Sequence, residues 1–230
     1  MTRFPLRPAA IAAALLSLGF AGCVSVLPKT KPAQLYSFVK TEKPLAPDAA
    51  EAKAPTGLLL GGLSFPRAAS SDGILTRTGA EAAYIGGARW VGPASLLFRE
   101  ATDNTFDRSG SLRLLSRGEV GKASAILRLE VRDFEARYSD PGAPPTAVVS
   151  VDARLSGADG VYIGARRFEA ATRASDNRVG PIVEAMAAST DKVLTDAAAW
   201  IEAQAANLPS PTIDAPVATP RRGPPAAPRP

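Results

Sequence analysis

The chain has 230 residues, of which 46% are hydrophobic and 21% charged, with one cysteine and no histidine. Without histidine there is no histidine-based triad and no histidine-ligated metal, and one cysteine forms neither an internal disulfide nor a cysteine-rich zinc site. The formal charge of +5 comes from the ends, because five of the 27 basic residues but only one of the 22 acidic residues lie in residues 1–22 and 208–230. The nearly neutral body argues against nucleic-acid binding.

The first 22 residues have the pattern of a secretory signal peptide. A short segment with two arginines precedes the apolar stretch of residues 9–20, and Ala21 and Gly22 follow it. The stretch is too short for a transmembrane helix, which takes about 17–25 apolar residues. We therefore predict a signal peptide over residues 1–22.

Cys23 directly follows these small residues, an arrangement similar to the bacterial lipobox, whose cysteine is lipidated and becomes the mature N-terminus. Lipidation also removes an unpaired thiol, a liability in an oxidising compartment. Several acyl chains would anchor the protein firmly, since each buried CH₂ contributes about 0.8 kcal/mol. In similar lipoproteins, an aspartate directly after the lipidated cysteine disfavours sorting to the outer membrane, and this chain has Val24 at that position. We predict lipidation at Cys23 and a periplasmic domain anchored in the outer membrane; the alternative is an ordinary signal peptide that leaves a free thiol.

Proline-rich segments flank the part that we expect to fold. Residues 23–33 predict a lipidated N-terminus and polar tether. Residues 208–230 include eight prolines, and a Pro/Ala-rich tail of this composition is predicted to be disordered. The tail is either a solvated end or a basic arm that touches lipid, cell-wall polymer or a partner. One folded domain is predicted over residues 34–207.

The first half of this domain predicts short strands and one helix. Gly92 and Pro93 predict a helix start, since proline is favoured at the first helical position, and the helix is expected to run to about Asp107. The glycine pairs Gly61-Gly62 and Gly86-Gly87 indicate bulges or close backbone approaches. Strands are predicted over residues 34–40, 57–65, 74–77, 82–85 and 112–115.

The second half predicts an antiparallel meander of three long strands. In the first strand, Leu127 begins an alternation of apolar and charged residues whose phase slips at Arg132-Asp133, which predicts a β-bulge. The second strand alternates from Ala147, and Asp159-Gly160 predicts the hairpin turn into the third. Arg166-Arg167 predicts a second bulge. The outward residues mix both signs, which is typical of a solvated sheet face or of a surface for an acidic partner: Arg128, Glu130, Arg132, Asp152, Arg154 and Arg166.

A long amphipathic helix is predicted from about Pro181, with Met186 and Trp200 on its apolar stripe as core residues. The fold class is therefore α+β, with an antiparallel sheet of long bulged strands packed by two helices in a single domain. No enzyme motif is present: Gly121-Lys122, for example, lacks the glycine and hydroxyl of a phosphate-binding loop. We predict no enzymatic activity, no catalytic residues, no cofactor and no metal.

Short motifs follow one another along the chain: Leu35-Tyr36-Ser37-Phe38, Arg77, Tyr84, Arg89-Trp90 with Pro93, Asp159-Gly160 before Phe168, and a closing helix that reaches Trp200. With the lipobox cysteine they resemble the ABC-type transport auxiliary lipoprotein family, over about residues 35–203. The resemblance implies a PqiC-like outer-membrane lipoprotein that serves an Mce-type system and moves phospholipids or related apolar molecules between the two membranes.

The implied partner is a separate Mce/MlaD-like or PqiB-like periplasmic protein. Cys23 matches the lipidation position, and Tyr36, Arg89, Trp90 and Trp200 match positions expected to be structural. Two alternatives stay open: a stand-alone lipid-binding carrier with its own apolar cavity, and a structural envelope lipoprotein whose tail grips the cell wall. The sequence also leaves open whether the protein forms a homo-oligomer.

Overall fold

A computed structural model describes residues 32–39, 56–109, 111–115, 118–119, 123–140 and 142–205. The predicted signal peptide, Cys23, most of the predicted tether and the tail of residues 208–230 lie outside these residues. From Ala33 onward, the described residues belong to one compact unit.

The described residues form one sheet and two helices. The strands are β1 (Gln34–Tyr36), β2 (Thr56–Ser64), β3 (Gly73–Thr78), β4 (Glu81–Trp90), β5 (Leu112–Leu115), β6 (Ala125–Tyr138), β7 (Thr146–Gly157) and β8 (Tyr162–Arg173). The helices are α1 (Ala94–Ser109) and α2 (Val179–Ala205). The predicted α+β class with two helices is confirmed.

Strand β6 is the centre of the sheet. One of its edges pairs with β7, which pairs with β8, and both pairings are antiparallel. Its other edge is shared, because β2 pairs in parallel with its first half and β3 pairs in parallel with its end. Strand β5 extends the β2 branch, while β4 and then β1 extend the β3 branch.

The sheet is therefore mixed, whereas the sequence predicts an antiparallel one. The long meander β6–β7–β8 is antiparallel as predicted, but β2 joins β5 and β6 in parallel. Alternation along a strand reports which face of that strand is buried, and it carries no information about the direction of the neighbouring strand.

The predicted bulge in β6 is confirmed. The pairing of β6 with β7 shifts register between Val131 and Asp133. Leu127 and Leu129 are buried before the shift, and Phe134 and Ala136 are buried after it. One extra residue thus switches the apolar side chains from odd to even positions while they stay on the same face of the sheet. The bulge lies close to the point where the neighbour of β6 changes from β2 to β3.

Both glycine pairs also lie at register shifts, as predicted. One shift falls between Leu60 and Gly62, where a Cβ on Gly61 would come within 2.6 Å of the Ile126 side chain. Another lies in the β3–β4 hairpin opposite Gly86-Gly87, where Gly87 has a φ of +69°. Residues with a side chain rarely adopt that backbone conformation.

The predicted second bulge at Arg166-Arg167 is wrong. Arg166 and Arg167 pair with Ala153 and Asp152 without interruption, and the shift lies between Leu155 and Ser156 instead. Arg166 stays on the helix-facing side, with its guanidinium 5.3 Å from the centre of the Phe168 ring. A long side chain can point inward at the edge of a sheet and still reach water with its charged end. The charge of Arg166 therefore led to the wrong prediction that its side chain points outward.

Both helices pack on the same face of the sheet, which we call the inner face. Helix α2 lies along β7 and β8, where the Ser189 hydroxyl is 3.1 Å from the Ala147 carbonyl oxygen and 2.8 Å from the Thr172 hydroxyl. Near its end, Trp200 lies over Gly164, at which a Cβ would be 3.3 Å from the indole ring. Helix α1 packs against α2 and β5.

Phe134 is the centre of an aromatic cluster on the inner face. Its ring centroid lies 5.0 Å from that of Phe38 and 5.3 Å from that of Phe65. The rings of Trp90 and Phe98 are each 6.1 Å away. The bulge thus aims one ring at residues from both branches of the sheet and from α1.

Candidate functional site on the outer face of the sheet

The outer face, opposite the two helices, carries most of the ionisable residues of β6, β7 and β8. They form three groups, one around Asp152, one around Glu135 and one made of two arginines. With Arg77 of β3, the residues of the three groups are Arg77, Arg128, Glu130, Arg132, Asp133, Glu135, Arg137, Asp152, Arg154 and Arg167. Glu169 and Arg173 of β8 lie on the same face outside these groups.

Asp152 is the centre of the first group, because the strand register places Glu130 and Arg167 directly beside it. The Nε atoms of Arg167 and Arg132 each donate to its carboxylate at 2.7 Å. Arg132 also contacts Glu130, with its Nη1 2.8 Å from the carboxylate. Hydrogen bonds from Arg167 and then Arg132 lower the pKa of Asp152 to about 2. This group is balanced, with two positive and two negative charges.

Glu135 is the centre of the second group and is almost fully buried, with 4% of its side chain exposed. The Nε of Arg77, on β3, donates to it at 2.9 Å, and the Nε of Arg137 donates at 2.7 Å. Arg137 also pairs with Asp133, and these acidic partners, Glu135 first, raise its pKa. A carboxylate held between two guanidinium groups joins β3 to β6 with charge-assisted hydrogen bonds.

The third group is the pair Arg128 and Arg154, which stand directly opposite each other on β6 and β7. Both side chains are exposed. They line a groove of about 320 Å³ together with Gly62, Glu130 and Asp152. The outer face therefore presents two balanced ionic groups beside a concentrated positive charge.

The structure places five of the six predicted outward residues on this face, and the exception is Arg166. It lies on the inner face over Phe168, and Arg167 takes the position beside Asp152. The outer face is thus built with Arg167 where the sequence predicts Arg166, which follows from the absence of the predicted second bulge.

The residues matched to family positions do not belong to any of these three groups. Trp90 is 2% exposed, in the aromatic cluster, and Trp200 packs against Phe168 at a ring distance of 5.9 Å. Arg89 is exposed and pairs with Asp72 at 2.9 Å, and the Tyr36 hydroxyl donates to Gln34. Cys23, the one predicted site residue, lies outside the described residues.

The Glu135 group was missed from the sequence. Its residues fall after the bulge, where Asp133, Glu135 and Arg137 alternate with Phe134 and Ala136. That alternation was the available signal, because it places all three charged residues on the outer face. The position of Arg77 beside them could not be inferred, since it depends on the parallel pairing of β3 with β6.

The outer face offers groups that bind ions and polar surfaces. Among the described residues there is no cluster of three or more acidic or cysteine side chains arranged to hold a metal. No described helix is both long and apolar enough to cross a bilayer. The arrangement of guanidinium and carboxylate groups fits recognition of a charged ligand or partner.

The lowered pKa of Asp152 predicts a specific acid sensitivity. Its charged form stabilises the fold above the ordinary carboxyl pKa near 4, and this contribution is lost as pH falls toward 2. Asp152→Asn should therefore lower the urea midpoint at pH 7 and make little difference near pH 2. The loss at pH 7 should be under about 1 kcal/mol, because the pair is solvent-screened.

Asp103, on α1, is the matched control because burial raises its pKa. A raised folded-state pKa means that the ionised carboxylate opposes folding at neutral pH, so Asp103→Asn should not lower the midpoint at pH 7. Equal losses in the two variants, or a loss in Asp152→Asn that does not change with pH, would contradict the assignment.

The chain is similar to one known protein family and to proteins of solved structure. The family model described as an ABC-type transport auxiliary lipoprotein component matches residues 40–198. No curated protein matches the chain. Among solved structures, a Xanthomonas campestris protein of the family DUF330 is similar, with 23% identity, a TM-score of 0.63, and coverage of 76% of this chain and 98% of that one.

An uncharacterised protein of known structure is also similar, with 17% identity, a TM-score of 0.57, and coverage of 74% of this chain and 99% of that one. At these identities the two structures support the fold alone. The family model spans most of the folded domain, from the segment before β2 into α2. The chain belongs to the ABC-type transport auxiliary lipoprotein family, which confirms the family predicted from the sequence.

Proposed function

We propose that the protein is a non-enzymatic, lipid-anchored accessory of an Mce-type transport system that moves phospholipids or other apolar molecules between the inner and outer membranes. Its folded domain docks a separate periplasmic protein of the MlaD-like or PqiB-like kind. The observation that supports this proposal is the match of residues 40–198 to the ABC-type transport auxiliary lipoprotein component family, whose name implies association with an ABC-type transport system.

The proposed anchor is Cys23, and the proposed location is the outer membrane with the domain in the periplasm. The residues around Cys23 support this, because a short apolar leader and two small residues precede it. Acyl chains on one cysteine are sufficient to hold a folded domain at a membrane surface.

The packing between the helices favours a docking accessory over a lipid carrier. Between α1 and α2 lie a crevice of about 20 Å³, lined by Ala101, Thr105 and Leu194 among others, and an open groove of about 280 Å³ whose lining includes Arg108, Asp191 and Glu202. The crevice holds about one water molecule. The groove carries three charged residues, whereas ligand pockets for apolar molecules are lined predominantly by hydrophobic and aromatic side chains. The larger groove on the outer face is lined by four charged residues and does not resemble a chamber for acyl chains.

The test is to purify the full-length lipoprotein from membranes in mild detergent, identify the associated proteins and measure bound lipid by mass spectrometry. We expect an Mce-type protein to co-purify without stoichiometric lipid. Bound lipid without a protein partner would instead support the stand-alone carrier and overturn the docking role.

A chain that lacks residues 208–230 is the matched control. Because we place docking on the folded domain, this truncated chain should retain the partner at the level of the full-length protein. Loss of envelope association on truncation would point to the tail and support the structural lipoprotein.

A further inference from the structure

Arg128 and Arg154 form an uncompensated pair of like charges. They are directly opposite each other on adjacent antiparallel strands, where side chains start about 4.5–5.5 Å apart and like charges are destabilising. Among the described residues, neither has an ion-pair or side-chain hydrogen-bond partner. Four other arginines of this face, Arg77, Arg132, Arg137 and Arg167, in contrast each contact a carboxylate.

The acidic residues nearest to this pair are already engaged. Glu130 pairs with Arg132 at 2.8 Å. Asp152 accepts hydrogen bonds from Arg132 and Arg167, each at 2.7 Å from Nε. These contacts balance their charges, so the two free guanidinium groups leave a local excess of two positive charges.

The neighbours in the same row of the sheet leave the two guanidinium groups uncovered. Gly62 lies beside Arg128, and a Cβ at Gly62 would meet nothing within 4 Å. Ala165 lies beside Arg154 on β8 and offers only a methyl group. The preceding glycine, Gly61, leaves room for the Arg128 side chain, whose Cγ and Nε would be 3.7 Å from a Cβ there. The result is an open, positively charged groove of about 320 Å³.

The chemistry of the pair selects the ligand. A guanidinium group binds oxygen anions through two parallel N–H donors, so two such groups call for an anion with several oxygens around one centre. A single carboxylate satisfies one arginine in this way, whereas a phosphate monoester has oxygens for both and a charge that approaches −2. We propose that Arg128 and Arg154 form a binding site for a terminal phosphate group, whether carried by a monoester or present as inorganic phosphate.

Two sources offer this terminal phosphate: free inorganic phosphate and the headgroup of a lipid such as phosphatidic acid. The next row of the outer face includes Ile126, Ser156 and Tyr162. Tyr162 is 64% exposed, and the adjacent Val161 is 63% exposed. These side chains would contact the glycerol and acyl part of a lipid but not inorganic phosphate. The site itself does not depend on the proposed transport function.

The test uses the full-length protein in neutral detergent at low ionic strength, with inorganic phosphate and dioctanoyl phosphatidic acid as separate probes. Each probe is titrated by calorimetry, and the thermal unfolding midpoint is recorded with and without it. We expect wild type to bind at least one probe and to unfold at a higher temperature in its presence. Tighter binding of the lipid would identify a headgroup site, and equal or tighter binding of inorganic phosphate would identify a site for the free anion.

Arg128→Gln and Arg154→Gln should weaken binding by roughly 10- to 100-fold, as expected for loss of hydrogen bonds to a charged group. Each should also raise the unfolding midpoint without ligand, because it removes the repulsion within the pair. Arg99→Gln is the matched control, since Arg99 is exposed on α1 and only weakly paired with Asp103, at 3.9 Å. It should bind the probes like wild type.

Two results would overturn the site. One is a wild-type protein that binds neither phosphate probe. If that protein instead binds a glutamate-rich peptide, the groove would be assigned to an acidic protein segment. The other is unchanged probe affinity in both Arg128→Gln and Arg154→Gln.

Discussion

Replacing Phe134 by alanine is expected to lower the free energy of unfolding by about 3–5 kcal/mol, as for other large-to-small aromatic changes in a core. Phe134 is 2% exposed and contacts four other aromatic rings, from the segment after β1, the segment after β2, β4 and α1. These rings belong to four separate segments of the chain, so each is held by a different stretch of backbone. The four rings cannot move together to fill the space left by Phe134, so most of the destabilisation caused by the cavity should remain.

The measurement is urea unfolding of the wild type and the variant, followed by circular dichroism. Phe168→Ala is the matched control, because Phe168 is 5% exposed but has one ring neighbour, the half-buried Trp200, and lies beside the exposed Arg166. These two side chains can move over the gap, so this loss should be smaller. If Phe134→Ala does not fold, Phe134→Leu should still show a loss of about 1–2 kcal/mol. Equal losses at the two phenylalanines would contradict the central role of Phe134.

The bulge that places Phe134 could be predicted because the residues on both sides of it alternate cleanly. Apolar side chains occupy odd positions through Val131 and even positions from Phe134, and a single extra residue accounts for the change. The third strand has no such contrast. There Arg166 lies on the inner face while reaching solvent, and the sequence pattern does not distinguish this from an outward position.

The strand partners could not be predicted, and the candidate site depends on them. That Arg128 and Arg154 point outward follows from alternation, but that they stand opposite each other follows from the β6–β7 register. The burial of Glu135 likewise requires β3 to lie parallel to β6, so that Arg77 approaches it. The charge of a side chain and the face of the sheet that it occupies can be inferred from the local sequence. Whether that charge has an oppositely charged partner depends on how the strands assemble.

Replacing Cys23 by alanine is expected to remove acyl labelling and to remove the protein from the outer-membrane fraction. The proposed anchor is a set of acyl chains on one side chain, and alanine has no sulfur to carry a thioether-linked lipid. Each CH₂ lost from the bilayer removes about 0.8 kcal/mol of attachment, so loss of the chains should leave no stable anchor. The measurement is labelling with radioactive palmitate, followed by separation of inner and outer membranes on a density gradient.

Ser25→Ala is the matched control, since it changes a small residue two positions later and leaves the thiol in place. It should keep both the label and the outer-membrane location. The folded domain should be unaffected in both variants, because both positions precede β1 by several residues, and unfolding midpoints of the purified proteins would check this. Palmitate incorporation into Cys23→Ala, or its undiminished recovery in the outer membrane, would show that attachment does not depend on this cysteine. The proposed function would then need another route by which the domain reaches the membrane.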